Sequence, residues 1–264
     1  MNIRKTWIIK TMIAHRGLYN EEFPENSSAA FENAIDNGYA IEMDLRMLDD
    51  GTVVVFHDEK LARMSGADGY LSKMKYDDLK ELKLNATKYG IPTFEEVLKL
   101  VAGRVPLMLD VKSFGNVGEL EKKVIELLSK YDGQVAIISS NPYTLEYFKI
   151  HAPHLTRGQK SRLYTKENEP SFAPRKYMTK MKMIPLSKPE FIVYEALDLP
   201  NKYIKKVGLP ILALNIRSNL QMEETLPFCD NILFEKFIPE LTPVTKELLA
   251  TKEREAEKEG KKKK

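Results

Sequence analysis

Short apolar runs that end in ionisable residues recur along the chain. Met12-Ile13-Ala14 leads into His15-Arg16-Gly17, residues 40–47 read Ala-Ile-Glu-Met-Asp-Leu-Arg-Met, Val53-Val54-Val55-Phe56 leads into His57-Asp58, and residues 107–112 read Leu-Met-Leu-Asp-Val-Lys. A strand sends successive side chains to opposite faces. Glu42, Asp44 and Arg46 then share one face and Ile41, Met43 and Leu45 the other. By the same parity Ile13 goes with His15, Val53 and Val55 with His57, and Asp110 with Lys112. Leaving such groups buried and unpaired would cost several kcal/mol. They must pair with each other, with a metal, or with a charged ligand.

The wider pattern alternates strands with helices. Strands are expected at 12–16, 40–47, 105–112, 134–140, 154–160, 191–196, 210–216 and 231–235. Helices are expected over Ser27–Asn37, Thr93–Val101, Val117–Tyr131, Pro142–Ile150, Leu199–Val207 and Asn219–Leu226, with a last one starting near Thr242. The first puts Ala30, Phe31, Ala34 and Ile35 on one side, with Asn26 as its N-cap. Eight strands in this order fit a (β/α)8 TIM barrel, whose site forms at the strand C-termini. An open doubly wound sheet is the alternative, but no Gly-rich turn follows the first strand. Two segments break the alternation. One, about 56–92, reads as a small insertion after the second barrel strand. The other, Arg162 to Pro189, mixes Arg175, Lys176, Lys180 and Lys182 with Met178, Met181 and Met183, and reads as a basic amphipathic surface helix.

Composition narrows the class. A chain of 264 residues can bury a full core as one domain, expected here over 1–250, with 251–264 a charged, disordered tail. Seven Lys/Arg and four Glu between Lys252 and Lys264 account for the whole net charge of +3, so there is no nucleic-acid footprint. Cys229 is the only cysteine, which excludes an intrachain disulfide and a thiolate metal site and agrees with a cytoplasmic setting. Lys10 interrupts the only early apolar run, so no secretory signal is read, and no stretch is long enough to span a membrane. Membrane contact is not expected.

The ordered set His15-Arg16-Gly17, Pro24-Glu25-Asn26-Ser27, Glu42-Met43-Asp44, Asp50-Gly51, His57-Asp58, Leu61 and Arg63 resembles the glycerophosphodiester phosphodiesterase family. The likeness continues more loosely through Pro92–Glu96, Leu109–Lys112, Ser139–Asn141 and Gly208–Asn215. It implies a barrel that uses a divalent cation, Ca²⁺ or Mg²⁺, to hydrolyse a small-molecule glycerophosphodiester to an alcohol and glycerol 3-phosphate. Carried over by position, His15 and His57 resemble the acid–base pair, Glu42, Asp44 and Asp110 the metal ligands, and Arg16 and Lys112 the phosphate contacts. Asn26 and Asn215 would help to shape the substrate site.

The sequence departs from the family pattern at three places. Asp110 stands where Glu is usual, one methylene shorter. Ala213-Leu214-Asn215 stands where the pattern has Trp-Thr-x-Asn, which implies a less aromatic leaving-group pocket. Glu235 stands where the last strand commonly ends in Asp. Two other readings remain at this point: a phospholipase-D-like barrel that cleaves lysophospholipids, and a barrel that binds a phosphodiester without cleaving it. His151 and His154 read as turn residues beside Pro153.

Overall fold

The computed structural model of the protein describes residues 3–113, 116–168 and 170–262. In chain order its strands are β1 (Ile13–Ala14), β2 (Ala40–Met47), β3 (Val53–Val55), β4 (Leu107–Val111), β5 (Val135–Ser139), β6 (Thr156–Ser161), β7 (Phe191–Glu195), β8 (Ile211–Ile216) and β9 (Asn231–Phe234). All but β3 pair in parallel, and β1 hydrogen-bonds to both β2 and β9, which closes an eight-stranded barrel. β3 runs antiparallel along the C-terminal half of β2.

The alternation read in β2 and β4 is the alternation the barrel uses. Ile41, Met43, Leu45, Leu107, Leu109 and Val111 face outward into the core shared with the surrounding helices. Ala40 and Met108 face inward with Ile13, Ala136, Ile138, Phe191, Val193, Leu212, Leu214 and Leu233. The same inward rows become charged two to four residues later, at Glu42, Asp44 and Asp110. The lower barrel is therefore dry and its upper end is ionic. Ile8, in the short helix Trp7–Lys10, packs with Ile3, Trp7 and Ile9 against the apolar layer from below. Asn231 donates from Nδ2 to the carbonyls of Ile8 and Thr11, at 2.7 and 2.8 Å, and pins that helix in place.

Side-chain caps start the helices where the strands end. Thr93 and Glu96 form a reciprocal capping box on Phe94–Val101, and Asn141, Asn201 and Ser218 cap three later helices. Each such cap contributes about 1 kcal/mol. The first helix, Ser28–Asp36, is capped by Ser27, whose hydroxyl accepts from Ala30 N at 3.2 Å. The expected cap, Asn26, is instead in the left-handed region (φ 58°) with its amide turned towards Asp44. Gly17 shows the same crowding: a Cβ there would lie 2.9 Å from Ala30, so the turn after β1 can press against the helix only without a side chain.

The insertion after the second barrel strand has its own small core. Leu48, Val54, Phe56, Leu61, Met64, Leu71, Leu79, Leu84 and Ile91 pack together around four single-turn helices between Ala62 and Ala86. The stretch Arg162–Pro189 is not one amphipathic helix. It forms two short helices, Arg175–Thr179 and Ile184–Ser187, with Met178 and Met181 buried. Pro174 and Pro185 prevent a continuous one, since proline lacks the amide hydrogen a helix interior needs. The last helix, Pro243–Lys262, contains residue 251, the expected start of the tail, and residues 263–264 lie outside the described residues. Among the described residues no helix is long and apolar enough to cross a membrane.

Gly158 is the tightest point of the barrel interior: a Cβ there would lie 2.3 Å from the ring of Phe191. Gly158→Ala should destabilise the protein by ~1–3 kcal/mol in urea unfolding, the usual range for overpacking. Adding Phe191→Leu should return part of that loss, and a strictly additive double mutant would show that the two sites do not compete for space.

Candidate active site

Parallel pairing sets Asp44 directly beside Asp110, and Glu42 is one inward position deeper on β2. One oxygen from each of the three carboxylates lies within 4.8 Å of the others, and all three residues are buried. Burial and the neighbouring Asp44 push Glu42 above the usual carboxylate range. Burial acts the same way on Asp44, but Lys112, His57 and Arg16 outweigh it and hold Asp44 well below that range. Asp110 is likewise raised by burial and then drawn down to about 2 by Lys112 and Lys160.

His15 follows β1, held by a backbone bond from its N–H to Phe234 O at 2.9 Å. Its Nδ1 is 2.7 Å from Glu235 Oε2. Burial raises Glu235, but His15 and Arg217 outweigh it and keep the carboxylate ionised, so it can only accept and Nδ1 must donate. Tyr19 donates to the same oxygen at 3.0 Å, and Arg217 donates from Nε to the other at 2.6 Å. The remaining ring nitrogen, Nε2, has no hydrogen-bond partner and lies 3.8 Å from Glu42.

His57 reaches the same cavity by a different route from the one its parity suggests. Val53 and Val55 pair with Met47 and Leu45 and face outward with them. Continued alternation would put His57 outward too. The strand ends at Val55, however, and the next residues turn back over the barrel. Phe56 N donates to Asp44 O at 3.0 Å, and Arg46 Nε donates to His57 O at 2.7 Å. His57 Nδ1 donates to Asp58 Oδ1 at 2.6 Å. Asp58 is raised by burial but lowered further by Arg63 and His57, to about 2, and so is ionised. Burial lowers His57 itself to about 4, which leaves a neutral ring with a free Nε2 lone pair at neutral pH.

Cations surround the carboxylates. Arg16, in the left-handed region, donates its backbone N–H to Glu42 Oε2 at 3.0 Å and Nη1 to Glu25 Oε1 at 2.8 Å, with Nε 3.3 Å from Asp44. Lys112 Nζ lies 2.8 Å from Asp110 Oδ2 and 3.2 Å from Asp44 Oδ1. Asn26 holds Asp44 from two sides: Nδ2 donates to the carboxylate at 2.8 Å, and Oδ1 accepts from the Asp44 N–H at 3.2 Å. Arg63 spans Glu25 and Asp58 and so ties the insertion to the site. Asn215 donates to Glu195 Oε2 at 2.8 Å.

A cavity of about 310 Å³ opens among His15, Arg16, His57, Lys112, Ser140, Lys160, Arg162, Tyr164, Glu195, Leu214 and Asn215. Every position proposed from the sequence thus lies on this cavity or in contact with a residue that does. Leu214 faces it, whereas Ala213 packs outward into the main core. A larger cavity of about 610 Å³, lined by Leu98, Leu127 and Tyr131 near the N-terminal ends of β4 and β5, lies away from these polar groups. His151 stacks on Tyr147 at a centroid distance of 4.2 Å, at the end of a helix. Lys160 escaped the sequence reading. Its strand, Thr-Arg-Gly-Gln-Lys-Ser, has no apolar run to mark it, but the spacing Gly158–Lys160 was the available sign of an inward row.

The donor set suits a hard divalent cation. Glu42 Oε1 and Asp44 Oδ1 are buried with no hydrogen-bond partner, since Lys112 approaches the latter without hydrogen-bond geometry. Such orphaned oxygens are costly unless something positive meets them. Glu42, Asp44 and Asp110 would hold the ion.

Comparison with known proteins bears on the family and the fold. The profile of the glycerophosphoryl diester phosphodiesterase family matches residues 15–219. A glycerophosphodiester phosphodiesterase of Caldanaerobacter subterraneus subsp. tengcongensis is 35% identical over 164 residues, which is 57% of this chain and 66% of that protein. One from Bacillus altitudinis is 31% identical over 156 residues, 54% of this chain and 63% of that protein. The matches thus span just under two thirds of these curated relatives. Among solved structures, an Oleispira antarctica phosphodiesterase in complex with the product sn-glycerol-3-phosphate superposes with a TM-score of 0.73 at 20% identity, covering 92% of this chain and 96% of that one.

The depressed His57 predicts an acid-labile increment of stability. Its folded pKa of about 4 lies below the ordinary imidazole value of 6.5, so between those values the unfolded chain binds the proton and the folded chain does not. Stability is therefore lost as pH falls through that window, by less than ~1.4 kcal/mol per pH unit, the limit for one proton. In EDTA, His57→Gln should gain stability relative to wild type between pH 6.5 and 4. Parallel urea-unfolding curves across that range would show instead that His57 titrates normally.

Proposed function

The chain belongs to the glycerophosphoryl diester phosphodiesterase family, and from that premise we propose that it hydrolyses a glycerophosphodiester, adding water to release an alcohol and glycerol 3-phosphate, with residues 1–250 as the catalytic unit. The observation that carries the reading is the pair of imidazoles on one cavity, each with Nδ1 committed to an ionised carboxylate and Nε2 left for substrate.

The roles follow from those environments. His57 is neutral and takes the proton of the attacking hydroxyl at Nε2. His15 gives a proton from Nε2 to the leaving alkoxide, with the ring fixed by Glu235 at Nδ1. A well-placed acid or base contributes typically ~10²–10⁴-fold. Arg16 and Lys112 bind the phosphoryl oxygens, Arg16 with a planar fork of donors. Asn26 keeps Asp44 oriented, and Asn215, on Glu195, shapes the opposite wall. A divalent cation, when bound by Glu42, Asp44 and Asp110, would supply Lewis-acid stabilisation of the negative charge that builds on the phosphoryl oxygens. Leu214 and Tyr164 both face the cavity, so the leaving-group side combines an aliphatic and an aromatic surface. The single buried Cys229 suits a cytoplasmic setting.

The reading is tested by assaying glycerophosphocholine, glycerophosphoethanolamine and a lysophospholipid with Mg²⁺, Ca²⁺ or EDTA. Release of sn-glycerol 3-phosphate with a metal and its loss in EDTA are expected. No turnover of any diester under any condition would leave a binding barrel. His15→Ala and His57→Ala should each lower kcat by ~10²-fold or more with the far-UV spectrum unchanged. Near-wild-type turnover in either variant would reject the acid–base assignment.

A further inference from the structure

Lys160 stands in the site without a role in the steps above. It is on β6, in the inward row that contains Gly158, and its neighbour in register is Val193 of the barrel interior. Its side chain is only 13% exposed, and Nζ lies 2.6 Å from Asp110 Oδ2. Lys112 Nζ lies 2.8 Å from that same oxygen. One carboxylate oxygen therefore carries two ammonium groups, while Glu42 Oε1 and Asp44 Oδ1, a few ångströms away, carry no hydrogen bond. Asp44 and Asp110 each pair with two cations, Arg16 and Lys112 on Asp44, Lys112 and Lys160 on Asp110, and the Lys160 ammonium pairs with Asp110 alone of the two.

The charges balance in an informative way. Glu42, Asp44 and Asp110 face Arg16, Lys112 and Lys160, three negative groups against three positive ones. With only Arg16 and Lys112 the cluster would carry a net negative charge that draws a divalent ion. Lys160 cancels it in advance. The ammonium also lines the cavity beside His15, Arg16, His57 and Lys112, so a phosphoryl group entering there meets it. A lysine head on a four-carbon stem can exchange a carboxylate partner for a phosphate oxygen with little movement of the backbone.

We propose that Lys160 is a positioning residue that occupies Asp110 in place of the divalent cation until a phosphate-bearing ligand draws its ammonium away, so that cation and phosphoryl ligand bind cooperatively. This rests on the reading of Glu42, Asp44 and Asp110 as the cation's ligands. Without phosphate, Asp110 is held by two ammonium groups and the ion has only Glu42 and Asp44. With phosphate bound, the ammonium groups turn to its oxygens and Asp110 becomes free. Linkage requires the effect to be mutual: the cation must tighten the phosphoryl ligand by the same factor.

The test reads binding, not turnover. Mn²⁺ affinity is measured by electron paramagnetic resonance in the full chain, with and without saturating sn-glycerol 3-phosphate. In wild type the ligand should tighten Mn²⁺ by ~10-fold or more, a size typical of coupled sites. Lys160→Met, similar in length but uncharged, should bind Mn²⁺ at least ~10-fold tighter than wild type without ligand and show little further gain with it. Lys160→Arg, which keeps the charge, should stay close to wild type. Wild-type Mn²⁺ affinity that ignores glycerol 3-phosphate overturns the proposal whatever the variants do, as does a folded Lys160→Met that binds Mn²⁺ no more tightly than wild type. Either result alongside metal-dependent turnover leaves the phosphodiesterase reading standing. Absence of Mn²⁺ binding in all three proteins, with or without ligand, removes both.

Discussion

Three carboxylates side by side in the closed end of a barrel are the constraint around which the rest of the site is arranged. Asp44 and Asp110 are neighbours because β2 and β4 are hydrogen-bonded in that register, and no side-chain movement can separate their backbones. Beneath them the barrel is packed with Ile13, Met108, Ile138, Phe191 and Leu212, so the charges have no water below them. Every charge of opposite sign must come from above, at the strand ends and the turns after them. Arg16, Lys112 and Lys160 all do so from the ends of barrel strands. Asn26 gives up the helix cap to Ser27 and takes a left-handed backbone in order to meet Asp44. The positions that look locally costly, the positive φ of Arg16 and Asn26 and the bare Cα of Gly17, lie within the one loop that joins β1 to the helix Ser28–Asp36.

Legibility in the sequence followed the apolar half of each strand. In β2 and β4 the outward residues are Ile, Met, Leu and Val, so the charged positions between them stood out and their shared face could be read directly. β6 offered no such contrast, because Arg157 and Gln159 occupy its other face, where Arg157 pairs with Glu190 and Gln159 donates to backbone carbonyls. Lys160 was hidden by polar neighbours, although its inward direction is as strictly set as that of Asp110. His57 illustrates the opposite case. Its placement at the site was anticipated from alternation, but the alternation stops at Val55, and the turn after β3 does the work. Residues outside regular strands carry no parity, and their direction is decided by tertiary hydrogen bonds such as Arg46 to His57 O.

The orienting groups were harder still to read. Glu235 lies 220 residues from His15, and only the pairing of β1 with β9 brings them together. Asp58 is adjacent to His57 in sequence, but adjacency does not imply a side-chain bond. Here it is enforced by Arg63, which holds Asp58 on one side and Glu25 on the other.

This arrangement gives the insertion a mechanical part in the proposed chemistry. The two imidazoles are held by different bodies of structure. His15 is fixed from the barrel, through Phe234 O, Glu235 and Tyr19. His57 is fixed from the insertion, through Asp58 and Arg63, above the separate core of Phe56, Leu61 and Met64. An in-line displacement requires acid and base to face one another across the substrate, and here each ring is oriented by its own carboxylate, Glu235 for His15 and Asp58 for His57. Besides the bonds from Arg46 to His57 O and from Phe56 N to Asp44 O, two ionic contacts join the bodies, Arg63 to Glu25 and Glu25 to Arg16. Arg16 is also the proposed phosphate contact. The relative position of the two histidines is therefore tied, through Glu25, to the residue proposed as the phosphate contact.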